Sequence, residues 1–246
     1  MVNINLNILH SCSSTNNVAL EAAIKGAVEG SSFLSHQQTA GRGRNNNKWT
    51  SMSGNLFLST IIKSQKPKLL WHQLSLIVGF SILQVLCDLG IKKKMLELKW
   101  PNDVLVNKKK ISGVLLESSD DFIIAGIGVN IINVPSLETK WKTTRLIDHL
   151  DKIDSVEDLS LKILNKIFLN STLWEFHSFQ YLLNKINPFV KNINDLINIK
   201  ISEDSDPFNG LFLGIGENGG LKVKIENDIF EYFSVNNFSF SRGVLK

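Results

Sequence analysis

The run Leu96-Glu97-Leu98-Lys99-Trp100-Pro101-Asn102-Asp103-Val104-Leu105-Val106 decides how this chain is read. Two short apolar segments, 96–100 and 104–106, flank a Pro-Asn-Asp corner. Proline fixes φ and Asn or Asp favours a turn, so two adjacent strands joined at 101–103 are predicted. The run Lys108-Lys109-Lys110 fills the next turn, and 111–118 and 122–127 read as two more strands. Working outward, Ile4, Leu6 and Ile8 alternate with Asn, the pattern of a half-buried strand. Residues 33–38 and 55–62 are further strand candidates. Ser14 or Thr15 offers an N-cap to a helix over 18–28, and Gly90 stops a long, mostly buried helix over 71–89. Helical spacing returns over 156–170 and 173–186. The expectation is an α+β fold, a mixed β-sheet flanked by helices.

The chain changes character after Pro188. Short strands are predicted over 197–201, 210–215, 221–225 and 229–233. Asn218-Gly219-Gly220 and Asn227-Asp228 supply the turns between them. A first domain over 1–188 and a small SH3-like β-barrel over 189–246 are therefore expected.

Composition removes several classes. Of the 246 residues 43% are hydrophobic and 20% charged, which excludes a disordered chain. Cys12 and Cys87 cannot make a disulfide framework and match no zinc-ligand spacing, so a reducing cytoplasm is the simplest setting. No basic signal-peptide start precedes the first strand, and the most apolar stretch, 74–89, is too short and too polar to span a bilayer. The net charge of +4 permits anionic ligands without arguing for nucleic acid. Asn occurs 25 times, so Asn clusters carry little functional weight.

Four segments carry chemistry. In Gln38-Thr39-Ala40-Gly41-Arg42-Gly43-Arg44, with Lys48-Trp49 after it, glycines free the backbone to wrap an anion while guanidiniums supply forked donors. A flexible basic surface loop has the same composition. Lys99-Trp100-Pro101-Asn102-Asp103 is either a site corner or only a hairpin corner. In Lys110-Ile111-Ser112-Gly113-Val114-Leu115-Leu116-Glu117, a strand glycine marks close approach of a ligand or of a neighbouring backbone, and the lysine is otherwise a solvated strand end. Gly126-Ile127-Gly128-Val129-Asn130 is not the dinucleotide fingerprint, because Ile131 stands where its third glycine belongs.

In this order and spacing the segments resemble the biotin protein ligases. That family shows Ser-Thr-Asn, then Gln-Thr-Ala-Gly-Arg-Gly-Arg with a following Trp, Lys-Trp-Pro-Asn-Asp, Lys-x-x-Gly with a Glu, and Gly-x-Gly-x-Asn. Here these are Ser14-Thr15-Asn16, residues 38–44 with Trp49, residues 99–103, Lys110 with Gly113 and Glu117, and residues 126–130. The resemblance runs from about residue 8 to the C-terminus, the tail by pattern only. Asn45-Asn46-Asn47 departs from relatives that carry Arg and Gly there. Ser14 falls so early that no room is left for the DNA-binding domain of the repressor members, and a single-function form is expected.

The resemblance implies ATP-dependent conversion of biotin to biotinyl-AMP and transfer of biotin to a lysine of a biotin carboxyl carrier domain. It implies Arg44 and Lys110 as catalytic cations. Biotin contacts fall to Ser14, Thr15, Asn16, Gln38, Arg42, Gly43, Arg44, Lys110, Gly113 and Leu115. Nucleotide contacts fall to Arg42, Lys99, Trp100, Asn102, Asp103, Asn130 and Trp141, with Arg42 folding over the adenylate. ATP and Mg²⁺ are the implied cofactors, without assigned metal ligands. Membrane and nucleic acid are not expected partners. Monomer and homodimer stay open, and the strand over 122–127 is the candidate edge for pairing. The rival readings are a lipoate or octanoate ligase or transferase of the same fold, a silent biotin binder, and a nucleic-acid-binding module.

Overall fold

The computed structural model describes residues 2–45, 47–119, 121–134, 142–153, 155–235 and 237–240. A seven-stranded sheet is built from β1 (Asn5–Leu9), β2 (Ser31–Ser35), β3 (Leu56–Ile62), β4 (Leu96–Lys99), β5 (Asp103–Val106), β6 (Lys109–Ser118) and β7 (Ile123–Val129). Its order is β1-β2-β3-β7-β6-β5-β4. β1 and β2 are parallel and the other pairs antiparallel, so the sheet is mixed, as expected.

All seven residues of β3 are buried, which means both of its faces are covered. Leu56, Leu58 and Ile62 point into the main core with α2 (Gln73–Asp88) and α3 (Val156–Phe176). Ile61 meets Ala19 and Ala23 of α1 (Thr15–Ile24) on the opposite face. A short α4 (Phe179–Ile186) completes the helical layer. The corner at 101–103 forms as predicted, with Trp100-Pro101 in cis. Gly90 follows α2 at φ +104°, the left-handed conformation that stops a helix cheaply.

Two predicted features of this part do not form. Helix α3 does not break at Ser171-Thr172. Thr172 Oγ1 donates to the Phe168 carbonyl, and Asn170 Nδ2 donates to Ser81 Oγ (2.9 Å) and Gln84 Oε1 (2.7 Å) on α2, which holds that turn in place. The strand at 122–127 is no edge. β7 lies between β3 and β6, and the edges are β1 and β4.

The C-terminal part forms a second, antiparallel sheet of β8 (Leu196–Lys200), β9 (Phe208–Ile215), β10 (Leu221–Ile225), β11 (Asp228–Tyr232) and β12 (Asn237–Phe240), ordered β11-β10-β9-β8-β12. It is consistent with an SH3-like unit, but among the described residues β11 and β12 do not pair, so it is an open sheet and not a closed barrel. It docks on the start of α2 and on the corner after β4 through the turn before β10. The Asn218 carbonyl accepts from Gln73 Nε2 and lies 2.8 Å from His72 Nε2, while the Gly219 carbonyl accepts from the Trp100 indole at 3.0 Å.

Candidate active site

Antiparallel register puts the motifs side by side. Ser35, Phe57, Gly128, Gly113, Asp103 and Lys99 form one row across β2, β3, β7, β6, β5 and β4. Ser59, Gly126 and Leu115 form the next row, and Ile61, Ile124 and Glu117 the one after. Directly opposed residues share a face, so one sheet face gathers residues far apart in sequence.

The two glycines of Gly126-x-Gly128 make a floor. A Cβ on Gly126 would run into the Asn16 amide, and one on Gly128 would meet the Trp49 indole at 2.5 Å. A Cβ on Gly113 would meet both Trp49 and Lys110, at 3.1 and 3.2 Å. The glycines therefore clear space for side chains laid flat on the sheet, not for a dinucleotide. Trp49 reaches the floor because its N–H donates to the Gly41 carbonyl (3.0 Å), closing the Arg-Gly loop on itself. Its indole N–H is buried and lacks an acceptor among the described residues.

Lys110 reaches the same face through a β-bulge. Between β5 and β6 the register steps from Val104↔Ser112 to Leu105↔Lys110, so Ile111 is an extra residue. Strict alternation would turn Lys110 away from Gly113, and one inserted residue reverses it. Lys110 Nζ then lies 2.6 Å from Asp103 Oδ1 and 5.4 Å from the centre of the Trp49 ring. Its strand end is held from outside: the Lys110 N–H donates to the Lys142 carbonyl and the Lys110 carbonyl accepts from Thr144.

A polar chain lines the other end. Ser14 takes the N-cap position of α1, but its side chain makes no capping bond. Gln38 caps instead: its Oε1 accepts from the Thr15 N–H (2.8 Å) and Thr15 Oγ1 (3.1 Å), and its Nε2 donates to Ser51. Ser59 Oγ bridges Thr15 Oγ1 (2.7 Å) and Asn16 Oδ1 (2.6 Å). Asn16 Nδ2 donates to Glu117 Oε2 (2.6 Å), and Glu117 also accepts from Arg42 at 2.9 and 3.1 Å.

These groups surround a cavity of about 400 Å³. It is lined by Ser14, Thr15, Asn16, Gln38, Arg42, Gly43, Arg44, Lys99, Trp100, Asn102, Asp103, Lys110, Gly113, Leu115 and Asn130. The sequence-predicted residues thus converge, save Trp141, which lies outside the described residues. Several are already engaged. Asn102 Nδ2 donates to the Val114 carbonyl, Asn130 Nδ2 to the Thr144 carbonyl, and Arg42 pairs with Glu117 beside Asn16. Arg44 stands apart. Its guanidinium, half-buried, makes no hydrogen bond or ion pair among the described residues. Burial pulls its pKa below the usual arginine range, and the nearby Asp103 charge opposes that shift. Phe57, Ser59 and Glu117 carry site geometry that sequence reasoning did not assign. Glu117 closes the quoted Lys-x-x-Gly motif and so had a signal, whereas Ser59 sits in an ordinary strand and had none.

Among the described residues no cluster of three or more His, Cys, Asp or Glu could hold a metal, and no helix is long and apolar enough to cross a membrane. Among the described residues Asp103 is the sole carboxylate lining the cavity.

Residues 9–131 match the family model of the biotin/lipoate A/B protein ligases. Over 147 residues the chain is 33% identical to a biotin–[acetyl-CoA-carboxylase] ligase of Mycobacterium tuberculosis, covering 58% of this chain and 55% of the relative. Over 131 residues it is 36% identical to the bifunctional ligase/repressor BirA of Bacillus subtilis, covering 50% and 39%. The matches thus span about half or less of these curated relatives. Among solved structures, the Aquifex aeolicus biotin protein ligase in complex with biotin and ATP superposes with a TM-score of 0.82 at 30% identity, over 96% of this chain and 99% of that one. The Leishmania major biotin protein ligase with biotinyl-5-AMP gives 0.71 at 26%, over 94% and 99%. A sheet whose glycine floor, bulged lysine and Arg-Gly loop meet at one cavity, together with these matches, places the chain in the biotin/lipoate A/B protein ligase family, among its biotin protein ligases.

Proposed function

We propose that the chain joins biotin to ATP, releasing pyrophosphate, and passes the biotinyl group to a lysine of a carboxylase's biotin carrier domain. A carboxylate oxygen of biotin attacks the α-phosphorus, and the bond to pyrophosphate breaks as the new O–P bond forms. The carrier amine then attacks the acyl carbon, an amide forms, AMP leaves and the amine's proton goes to solvent. The first step brings anion to anion, so the protein's task is to supply positive charge and fixed donors.

The observation that carries this reading is Arg44. Two other cations at the cavity are neutralised locally, Lys110 by Asp103 and Arg42 by Glu117. The Arg44 guanidinium has no such partner among the described residues and is partly desolvated, the condition in which an anion is bound most strongly. Ser14 keeps its hydroxyl free of the helix cap, and the Trp49 indole and the glycine floor offer apolar walls with one unused donor. That mixture suits an apolar bicyclic ring with a ureido group.

Lys110, held near Asp103, is assigned to the α-phosphate and carboxylate, while Lys99, Asn102 and Asn130 are assigned to the nucleotide side. Mg²⁺ fits as an ion carried on the phosphates with Asp103, the one lining carboxylate among the described residues, since Mg²⁺ needs few protein ligands. When bound it would supply further charge neutralisation. Residues 1–188 are assigned as the catalytic domain and 189–246 as its accessory domain, and the free thiols Cys12 and Cys87 support a cytoplasmic setting. The test is ATP–pyrophosphate exchange with biotin against lipoate, then mass measurement of a carrier domain incubated with ATP, Mg²⁺ and biotin. Exchange with biotin and addition of one biotinyl group are expected. Exchange with lipoate alone would transfer the chain to the lipoate ligases.

A further inference from the structure

Glu117 is the only acidic residue joined to both the Arg-Gly loop and α1 among the described residues. Its carboxylate accepts twice from Arg42 (2.9 and 3.1 Å) and once from Asn16 Nδ2 (2.6 Å). The three residues of this cluster come from three elements. Glu117 stands on β6, in the row of Ile61 and Ile124. Asn16 stands on α1 and is fixed at its other amide atom by Ser59 of β3. Arg42 stands in the loop.

Holding Arg42 holds more than one residue. Arg42 pairs with Lys48 in an isolated bridge, and the Gly43 N–H donates to the Asn47 carbonyl at 2.7 Å. Trp49 in turn donates its N–H to Gly41. The described part of the loop is therefore closed on itself, and Arg42 ties it to the sheet at Glu117. Arg44, two residues beyond the tether, moves with it.

The tether sits at the rim: the Arg42 and Glu117 side chains each keep 35% of their accessible surface. An ion pair this exposed is weak. It biases the loop toward the sheet without locking it, which suits a loop that must admit substrates and then keep a reactive anhydride from water.

We propose that Glu117 is a positioning residue, a latch that holds the described part of the Arg-Gly loop, residues 41–45 and 47–49, over the cavity through Arg42 while fixing the Asn16 amide in one orientation. The loop part stands on geometry alone. The consequence for the adenylate rests on the reading under Proposed function. Glutamine keeps the size of Glu117 but removes its charge and puts an NH2 in place of one of the two oxygens, so it cannot keep all three contacts to Arg42 and Asn16.

The test uses the full chain in two arms. In the ligand-free chain, Glu117→Gln is expected to speed amide exchange across 42–49 about tenfold, the scale of a charged hydrogen bond plus an exposed pair, with exchange in β3 unchanged. In the Arg42→Gln background the same change is expected to add nothing. With biotin and ATP, release of biotinyl-AMP is expected to accelerate by a similar factor, while kcat for pyrophosphate exchange at saturation changes less. Unchanged loop exchange, loss of protection in β3 as well, or additive effects of the two substitutions would each overturn the latch. A wild-type chain without biotin-dependent exchange would overturn the proposed function, and the amide-exchange arm would still decide the latch.

Discussion

Lys110 Nζ sits 2.6 Å from Asp103 Oδ1, and that distance exists because Ile111 is a bulge. The pair is an ion pair tucked into the cavity wall, the side chains 21% and 15% exposed. Lys110 is thus fixed in position by Asp103.

Lys110→Ala should slow the adenylation step by about 2–4 kcal/mol of transition-state stabilisation, the cost of losing one preorganised donor to a developing anion. Biotin-dependent pyrophosphate exchange is the measurement. A near-wild-type rate would remove Lys110 from the chemistry and leave it as a partner for Asp103 only.

Arg44→Ala should weaken the hold on the adenylate more than it weakens the fold, because the guanidinium makes no bond to the rest of the described protein. Free biotinyl-AMP should appear in solution, and unrelated proteins added to the reaction should gain biotin on surface lysines. Retention of the adenylate at the wild-type level would exclude the assignment. Thermal stability should stay within about 0.5 kcal/mol or rise slightly, since a partly desolvated charge is removed.

Gly128→Ala should displace Trp49, whose indole carbons lie 2.5 Å from the added Cβ. Overpacking of this kind costs about 1–3 kcal/mol. Biotin titration and a urea melt together check it: affinity for biotin falls, with or without a fall in stability. Unaltered affinity would mean that the floor does not carry the ligand.

Glu97 gives a pH-dependent prediction away from the site. It is only 7% exposed on β4, and burial raises its pKa above the usual glutamate range, with Lys99, Lys108 and Lys191 pulling the other way. A folded-state pKa above the unfolded value means the folded chain binds the proton more tightly. The stability from that difference is fully present below the ordinary glutamate pKa and is lost as pH rises through the raised one. Glu97→Gln should therefore stabilise the protein at pH 8 relative to wild type and change little at pH 4. Equal effects at both pH values in thermal melts would contradict it.

The sequence motifs located the cavity well because their chemistry is local: an Arg-Gly loop, a proline corner and a lysine beside a glycine are legible as written. What joins them is not local. Period-two alternation places Lys110 and Gly113 on opposite faces, and only the bulge at Ile111 reverses that. The Glu117 contacts need Asn16, 101 residues away, and no spacing rule announces such a pair. Ser14 or Thr15 is the cap the sequence offers, yet the Gln38 side chain does that work from another segment. Whether β7 is an edge is not legible in the sequence, because its own residues do not say how many neighbours it has. Strand β12, over Asn237–Phe240, has no legible sequence signal because four residues of Asn, Ser and two Phe give too short a pattern.

The carbonyls of Asn218 and Gly219 have one further consequence. Each accepts from the first sheet's side, from Gln73 and from Trp100, beside the corner that carries Asn102 and Asp103. Cutting the chain before residue 189 would strip those acceptors from buried donors, so the shortened protein would not be a smaller working version of the whole. Chimaeras face the same constraint. A C-terminal sheet borrowed from a relative would have to bring a turn that presents the same two carbonyls, and grafts lacking it should assemble poorly even where both halves fold.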